Sequence, residues 1–255
     1  MPSSSPLASS VASEGLARLE ARLIRCRRCP RLVAHRERVA TERVARFRNW
    51  CYWGRPVPGF GDPAARVLIV GLAPAAHGGN RTGRIFTGDE SGNWLYAGLH
   101  RAGFANQPTS VHRDDGLVLR GAWVTAAARC APPANRPTRE ELETCRRWLL
   151  GEMALLDRLR VVVVLGRVAH DAFLAAETAR GRTVPRPRPA FAHGAEHRLP
   201  SGLVLLCSYH PSQQNTFTGK LTRPMLDRVL VRAAAVARTA SSSSGRRVVT
   251  RARGA

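Results

Sequence analysis

Apolar residues gather in four short unbroken runs, Arg66–Gly71, Ala122–Thr125, Arg160–Gly166 and Leu203–Ser208. Runs of this length without polar alternation predict strands buried on both faces, the pattern of a parallel sheet covered by helices. Between them the apolar positions recur at helical spacing over Ser91–Ala102, Thr138–Leu150, Val168–Ala179 and Pro224–Ala237. The first of these helices is stopped by Gly103, and the second opens with a capping box of Thr138 and Glu141. Strands alternating with helices predict an α/β sandwich with a mostly parallel sheet.

The remaining segments read as connections and ends. Arg180–Pro200 carries Pro185, Pro187 and Pro189 among arginines and histidines and reads as an irregular surface loop. Residues 1–13 are rich in Ser, Pro and Ala, and residues 241–255 run from serines into arginines. Both have too little apolar content to pack and are expected to be disordered, leaving one domain over residues 14–240. No internal repeat is visible.

Charge narrows the partners. Forty basic residues against 18 acidic ones give a formal charge of +22, the electrostatic footprint of a protein that meets phosphate backbones. Lys220 is the only lysine. That reads as a compositional bias toward Arg, yet the planar guanidinium binds phosphate oxygens well whatever its origin. The N-terminal stretch has no basic start or apolar block, and the longest apolar run, Val161–Leu165, is far too short to span a bilayer. A cytoplasmic protein is expected, and in a reducing compartment its six cysteines are ligands, nucleophiles or core residues before they are disulfides.

Cys26 and Cys29 form a C-x-x-C at the end of an amphipathic helix, while Cys130 and Cys145 have fourteen residues between them. Zinc ribbons usually pair two short knuckles, whereas clusters accept one short pair with separated cysteines, so the asymmetry favours iron–sulfur over zinc. Leu142, Cys145 and Leu149 share one helix face, so Cys145 points inward whether it is a ligand or a core residue. Cys51 and Cys207 lack such company and are assigned to packing or chance.

Two loops carry the remaining signal. The first strand is followed by Gly71-Leu72-Ala73-Pro74-Ala75-Ala76-His77-Gly78-Gly79-Asn80-Arg81-Thr82-Gly83-Arg84, then Phe86-Thr87-Gly88-Asp89. This is neither a P-loop nor a dinucleotide fingerprint, and its small residues permit close backbone approach by something flat. The last strand runs into His210-Pro211-Ser212-Gln213-Gln214-Asn215, at the edge where open α/β sheets bind ligands. Together with the cysteines, in this order, these motifs resemble the uracil-DNA glycosylase superfamily, and its family 5 in particular, over roughly residues 20–237.

The resemblance implies a three-layer αβα sandwich around a four-stranded, mostly parallel sheet, a structural [4Fe–4S] cluster on Cys26, Cys29, Cys130 and Cys145, and base flipping on damaged double-stranded DNA. It assigns the backbone of Gly71, Ala73, Pro74 and Ala75 to the base edge and Phe86 to stacking. His210 becomes the donor that stabilises the departing base, and Gln213, Gln214, Asn215 and Lys220 the contacts to DNA, with Phe217 behind them. Most relatives carry a water-positioning acidic or amide side chain before the first proline, where Leu72 and Ala73 stand here, a departure typical of family 5. That task falls to Asn80, with Asp89 in reserve, and Asn80 orients water rather than abstracting a proton.

Several relatives also place an Asn where Ala126 stands, to read the pairing edge of the base. Its loss predicts a broad range of deaminated bases, hypoxanthine and xanthine beside uracil. The competing readings are a non-catalytic, zinc-stapled nucleic-acid-binding module and an electron-transfer iron–sulfur protein. A monomer is expected.

Overall fold

The computed structural model describes residues 6–239, with side chains from residue 11 onward. Four strands form the parallel centre of the sheet: β2 (Val67–Gly71), β3 (Ala122–Ala126), β4 (Val161–Leu165) and β6 (Val204–Ser208). Each lies within a residue or two of the expected run, and every residue in them is buried. Two short antiparallel strands that the apolar pattern did not reveal flank this centre. They are β1 (Phe60–Gly61) and β5 (Glu196–Arg198), giving the order β1-β3-β2-β4-β6-β5. β5 lies inside the stretch read as irregular loop; its Glu-His-Arg sequence is only partly buried and gives no apolar signal.

Period two decides which face each side chain serves. Val67, Ile69, Val161, Val163, Val204 and Leu206 enter one core. Their neighbours Leu68, Val70, Val162, Val164, Leu205 and Cys207 enter the other. The first core is covered by α4 (Glu90–Arg101) and α8 (Arg223–Thr239), the second by α5 (Arg139–Leu155) and α6 (Arg167–Ala179). These layers make the expected αβα sandwich. Cys207 is fully buried, a packing residue whose thiol burial pushes up to about 11.

A further helix, α1, spans Pro6–Leu23 and packs along α5. This corrects the expected disorder over residues 6–13, because α1 begins at Pro6, and Ala12 and Leu16 turn inward; residues 1–5 lie outside the described residues. The composition of that stretch is poor in large apolar residues, but one helix face suffices when a neighbouring helix accepts it. The expected tail at 241–255 lies outside the described residues. α1 also ends at Leu23, before the C-x-x-C. Cys29 then caps the unexpected α2 (Pro30–Glu42), whose Pro30 at the first helical position costs no hydrogen bond.

Candidate active site and metal centre

All four expected cysteines line one cavity, together with Leu23, Leu32, Val33, Arg129 and Trp148. The elements bring them there from four directions. Cys26 follows α1, Cys29 caps α2, Cys130 stands beyond the end of β3, and Cys145 lies on the inner face of α5. The Thr138–Glu141 capping box forms as expected, Glu141 N donating to Thr138 Oγ1 at 3.2 Å and Thr138 N to Glu141 Oε2 at 2.8 Å. The same Glu141 carboxylate accepts both Nε (2.8 Å) and Nη2 (2.7 Å) of Arg31, which fastens the start of α2 to the start of α5.

The chemistry of this cavity is unusual for a plain core. Burial pushes the thiols of Cys130 and Cys145 up to about 11 and about 12, so without a metal both stay protonated. Yet a guanidinium is buried against them. Arg36 is 2% exposed, donates from Nη1 to Cys130 Sγ at 3.1 Å and from Nη2 to the Cys26 carbonyl at 3.3 Å, and leaves Nε without a partner. Its nearest carboxylate, Glu37 at 3.6 Å, is already taken by both terminal nitrogens of Arg27. A buried cation beside neutral thiols is costly, whereas one beside metal-bound thiolates is compensated. The donor set therefore fits a thiolate-ligated group carrying net negative charge. Among the described residues no three His, Cys, Asp or Glu side chains stand close enough to hold a single ion; the four cysteines surround a cavity instead.

The two motif loops meet at the carboxyl ends of β2 and β6. Phe86 lies on bare backbone: a Cβ at Gly71 would stand 2.5 Å from its ring, so only glycine fits there. The His210 ring faces Phe86 with centroids 5.7 Å apart and planes tilted by 32°. Phe86 has a left-handed backbone, φ +51°, rare for a bulky residue, and is 5% exposed. Gly71 is paired with Ala126 across the β2–β3 ladder, so two small residues sit side by side at this edge, and Ala126 offers no polar group. His210 keeps a partial opening to solvent, but burial alone pushes its pKa down to about 4, and its imidazole is neutral at pH 7.

The arginines of the first motif, which carried no role in the sequence, brace this loop from within. Arg81 donates to the carbonyls of His77 (2.7 Å) and Gly88 (2.9 Å) and lies over the rings of Phe47 and Trp50, 3.9 and 4.1 Å from their centroids. Arg84 reaches Thr87 Oγ1 (3.0 Å), Ser110 Oγ (2.9 Å) and Asp115 (2.6 Å). Against burial, that guanidinium and neighbouring backbone amides hold Asp115 down at about 2. Two charges in the motif thus set the course of residues 77–88 and, with it, the place of Phe86.

The other expected residues divide. Asn80 lies in the one-turn helix α3 (Gly79–Thr82), wholly buried, with Nδ2 donating to the Arg36 carbonyl at 3.1 Å and Oδ1 without a partner. It is therefore tied toward the cysteine-cavity side of the loop. Asp89 caps α4, accepting from Gly92 N at 2.9 Å, and burial raises its pKa. Asn215, in α7 (Gln213–Phe217), donates to the His210 carbonyl at 2.9 Å and shapes its own loop. Gln213, Gln214 and Lys220 are exposed, with Lys220 Nζ 5.0 Å from the Tyr209 ring centroid, and Phe217 stands 76% exposed at the loop's tip.

Sequence reasoning missed one further pair. Arg129 and Glu152, 1% and 3% exposed, form a two-pronged ion pair at 3.0 and 2.5 Å. Thr125 Oγ1 donates to the same carboxylate at 2.7 Å, and Arg129 N donates to Cys145 Sγ at 3.3 Å. Arg129 immediately precedes Cys130, and Glu152 falls on the inner face of α5; an acid on a buried face was the available signal.

A sandwich whose motif loops bring His210 and Phe86 together at one sheet edge, beside a cavity lined by four cysteines, has the arrangement that the resemblance to uracil-DNA glycosylases implies. A family model described as the uracil DNA glycosylase superfamily matches residues 58–233, and the chain belongs to that superfamily. Within it the chain stands with the type-5 proteins. It is 56% identical to the type-5 uracil-DNA glycosylase of Thermus thermophilus over 211 residues, 83% of this chain and 93% of the relative. It is 53% identical to that of Mycobacterium tuberculosis over 203 residues (79% and 74%). The type-4 uracil-DNA glycosylase of Pyrobaculum aerophilum matches at 31% over 163 residues (63% and 74%).

Proposed function

We propose that this protein is a DNA glycosylase that hydrolyses the N-glycosidic bond of uracil, and also of hypoxanthine and xanthine, after flipping the nucleotide out of double-stranded DNA. The observation that carries the reading is the meeting of Phe86, Gly71 and His210 at the carboxyl ends of β2 and β6 in a member of this superfamily. A base that reaches Phe86 must move His210 from its tilted contact, which brings the imidazole to the base's edge. A neutral imidazole donates a hydrogen bond to the departing anion without carrying charge into an apolar slot, and donors aimed at developing charge contribute strongly to such reactions. Backbone groups of Ala73, Pro74 and Ala75 border the base. Ala126 contributes no hydrogen bond that would select one pairing edge, which supports a broad substrate range.

Asn80 orients the attacking water through its unpartnered Oδ1. Gln213, Gln214 and Lys220 contact DNA beside the flipped nucleotide, and Asn215 holds the loop that presents them. Cys26, Cys29, Cys130 and Cys145 hold a [4Fe–4S] cluster, which supplies cohesion among four chain segments rather than a reaction step. No helix among the described residues is long and apolar enough to cross a membrane.

Single-turnover excision on duplexes bearing uracil, hypoxanthine, xanthine or only intact bases, read as strand cleavage after alkali, tests the reading. All three deaminated bases are released by the native protein, and His210→Ala lowers the rate at least a hundredfold while leaving duplex affinity unchanged. Full activity in that variant overturns the assignment of His210, and release of uracil alone overturns the role of Ala126.

A further inference from the structure

A groove beside the cysteine cavity is lined by Arg22, Arg25, Arg28, Arg147 and Trp148, with Cys26, Arg28 and Trp148 shared between the two. Arg22 and its neighbours reach it from the end of α1 and the C-x-x-C turn, and Arg147 from α5. No acidic residue lines it. Arg27, also at its margin, is neutralised by Glu37, but Arg22, Arg25, Arg28 and Arg147 are all exposed and make no ion pair among the described residues. Arg147 is steadied over the Trp148 ring, 5.3 Å from its centroid. Four unpaired guanidinium groups around one concavity repel one another, and an anionic occupant relieves that repulsion.

The groove has a definite place relative to the proposed base site. Cys130 follows the carboxyl end of β3, and α5 runs back from that end, so the cysteine cavity lies at the same sheet edge as Phe86 and His210. Among the described residues none of the large exposed apolar side chains lines the groove, so these supply no anchor of the kind membrane-surface sites use. We propose that this groove is a second nucleic-acid contact, gripping the phosphate backbone of duplex DNA away from the flipped nucleotide. The proposal rests on the glycosylase reading for the choice of partner. Flipping a nucleotide requires the duplex to be held on both sides of the opening, and non-specific phosphate contacts supply that hold. The groove also gives the cysteine centre a consequence beyond folding, because it fixes the turn that carries Arg25 and Arg28.

The test uses the intact, metal-loaded full chain and an undamaged duplex, so that binding is read apart from excision. Arg22, Arg25, Arg28 and Arg147 are changed to Gln singly and together, and the affinity is measured across salt concentrations. Each arginine that meets a phosphate removes about 0.9 from the slope of log affinity against log salt. The combined variant should therefore lower the slope by about 2 or more and weaken binding at least tenfold, with single-turnover excision of uracil at saturating protein unchanged. Arg120→Gln with Arg160→Gln, exposed and preceding β3 and β4 at the opposite sheet edge, is the control and should barely move the slope. An unchanged slope in the combined variant, an equal fall in the control, or lost binding to phosphatidylserine vesicles with duplex binding intact each overturns the proposal. A native protein that binds duplex through the groove but excises nothing leaves the groove standing and removes the glycosylase reading instead.

Discussion

His210 should behave as a neutral imidazole throughout the physiological range, and the structure sets the size of the effect. Its ordinary value is 6.5, and burial lowers it to about 4 in the folded chain. As pH falls below 6.5 the unfolded chain binds a proton at this ring that the folded chain refuses until about 4. The folded state is therefore unpenalised above pH 6.5 and loses stability progressively as pH drops toward 4. At about 1.36 kcal/mol per unit the complete effect is about 3 kcal/mol, of which about 2 kcal/mol has developed by pH 5.

Urea unfolding of the native protein and of His210→Gln at pH 7 and pH 5 isolates this ring, because every other titrating group is common to both. The native protein should lose about 2 kcal/mol more than the variant between the two conditions. The NMR signal of the His210 ring should stay in its neutral position down to pH 5, and the single-turnover rate should show no step near 6.5. Parallel losses in the two proteins, or a ring that titrates near 6.5, would refute the claim that a neutral donor faces the base.

Two other perturbations probe the supports. Arg36→Met removes the N–H to Cys130 Sγ and the guanidinium buried against that sulfur. Iron and acid-labile sulfide per chain should fall and urea unfolding should shift by about 3 kcal/mol, since hydrogen bonds to charged groups contribute about 1.5–3 kcal/mol each; full iron content with unchanged unfolding counts against the fit. Glu152→Gln leaves Arg129 buried without its carboxylate, which should cost about 3–5 kcal/mol in urea unfolding, while joint replacement of Arg129 by Met and Glu152 by Leu should recover most of it. A Glu152→Gln protein within about 1 kcal/mol of native would mean that the pair is not electrostatically isolated.

What the sequence disclosed follows from how each signal is written. Strands β2, β3, β4 and β6 were legible because burial on both faces forces unbroken apolar runs. Edge strands β1 and β5 were not, since two or three half-exposed residues held by backbone bonds need no apolar pattern. Helix α2 escaped because only Leu32, Val33 and Arg36 turn inward, and an arginine on a buried face reads as solvent-facing until its partner is seen. The gathering of the four cysteines was anticipated from spacing and resemblance together, and Phe86 and His210 from their motifs. Arg81, Arg84 and Arg129 were not, because a chain with 40 basic residues hides the few that are buried.

Two buried arginines, Arg129 and Arg36, link the cysteine cavity to the sheet edge and loop that carry Ala126 and Phe86. Thr125, beside Ala126 at the end of β3, bonds Glu152; Glu152 holds Arg129; Arg129 N meets Cys145 Sγ. On the other side Cys130 Sγ meets Arg36, and the Arg36 carbonyl holds Asn80 in the loop that ends at Phe86. Each bond is buried, so none is replaced by water when its neighbour is lost. Loss of a group held by the four cysteines, as proposed, would leave Arg36 as an uncompensated charge and remove the ties at both ends of this series. Folding should therefore weaken before chemistry changes, and a variant that keeps its fold without that group should release uracil slowly because Asn80 and β3 no longer share a frame.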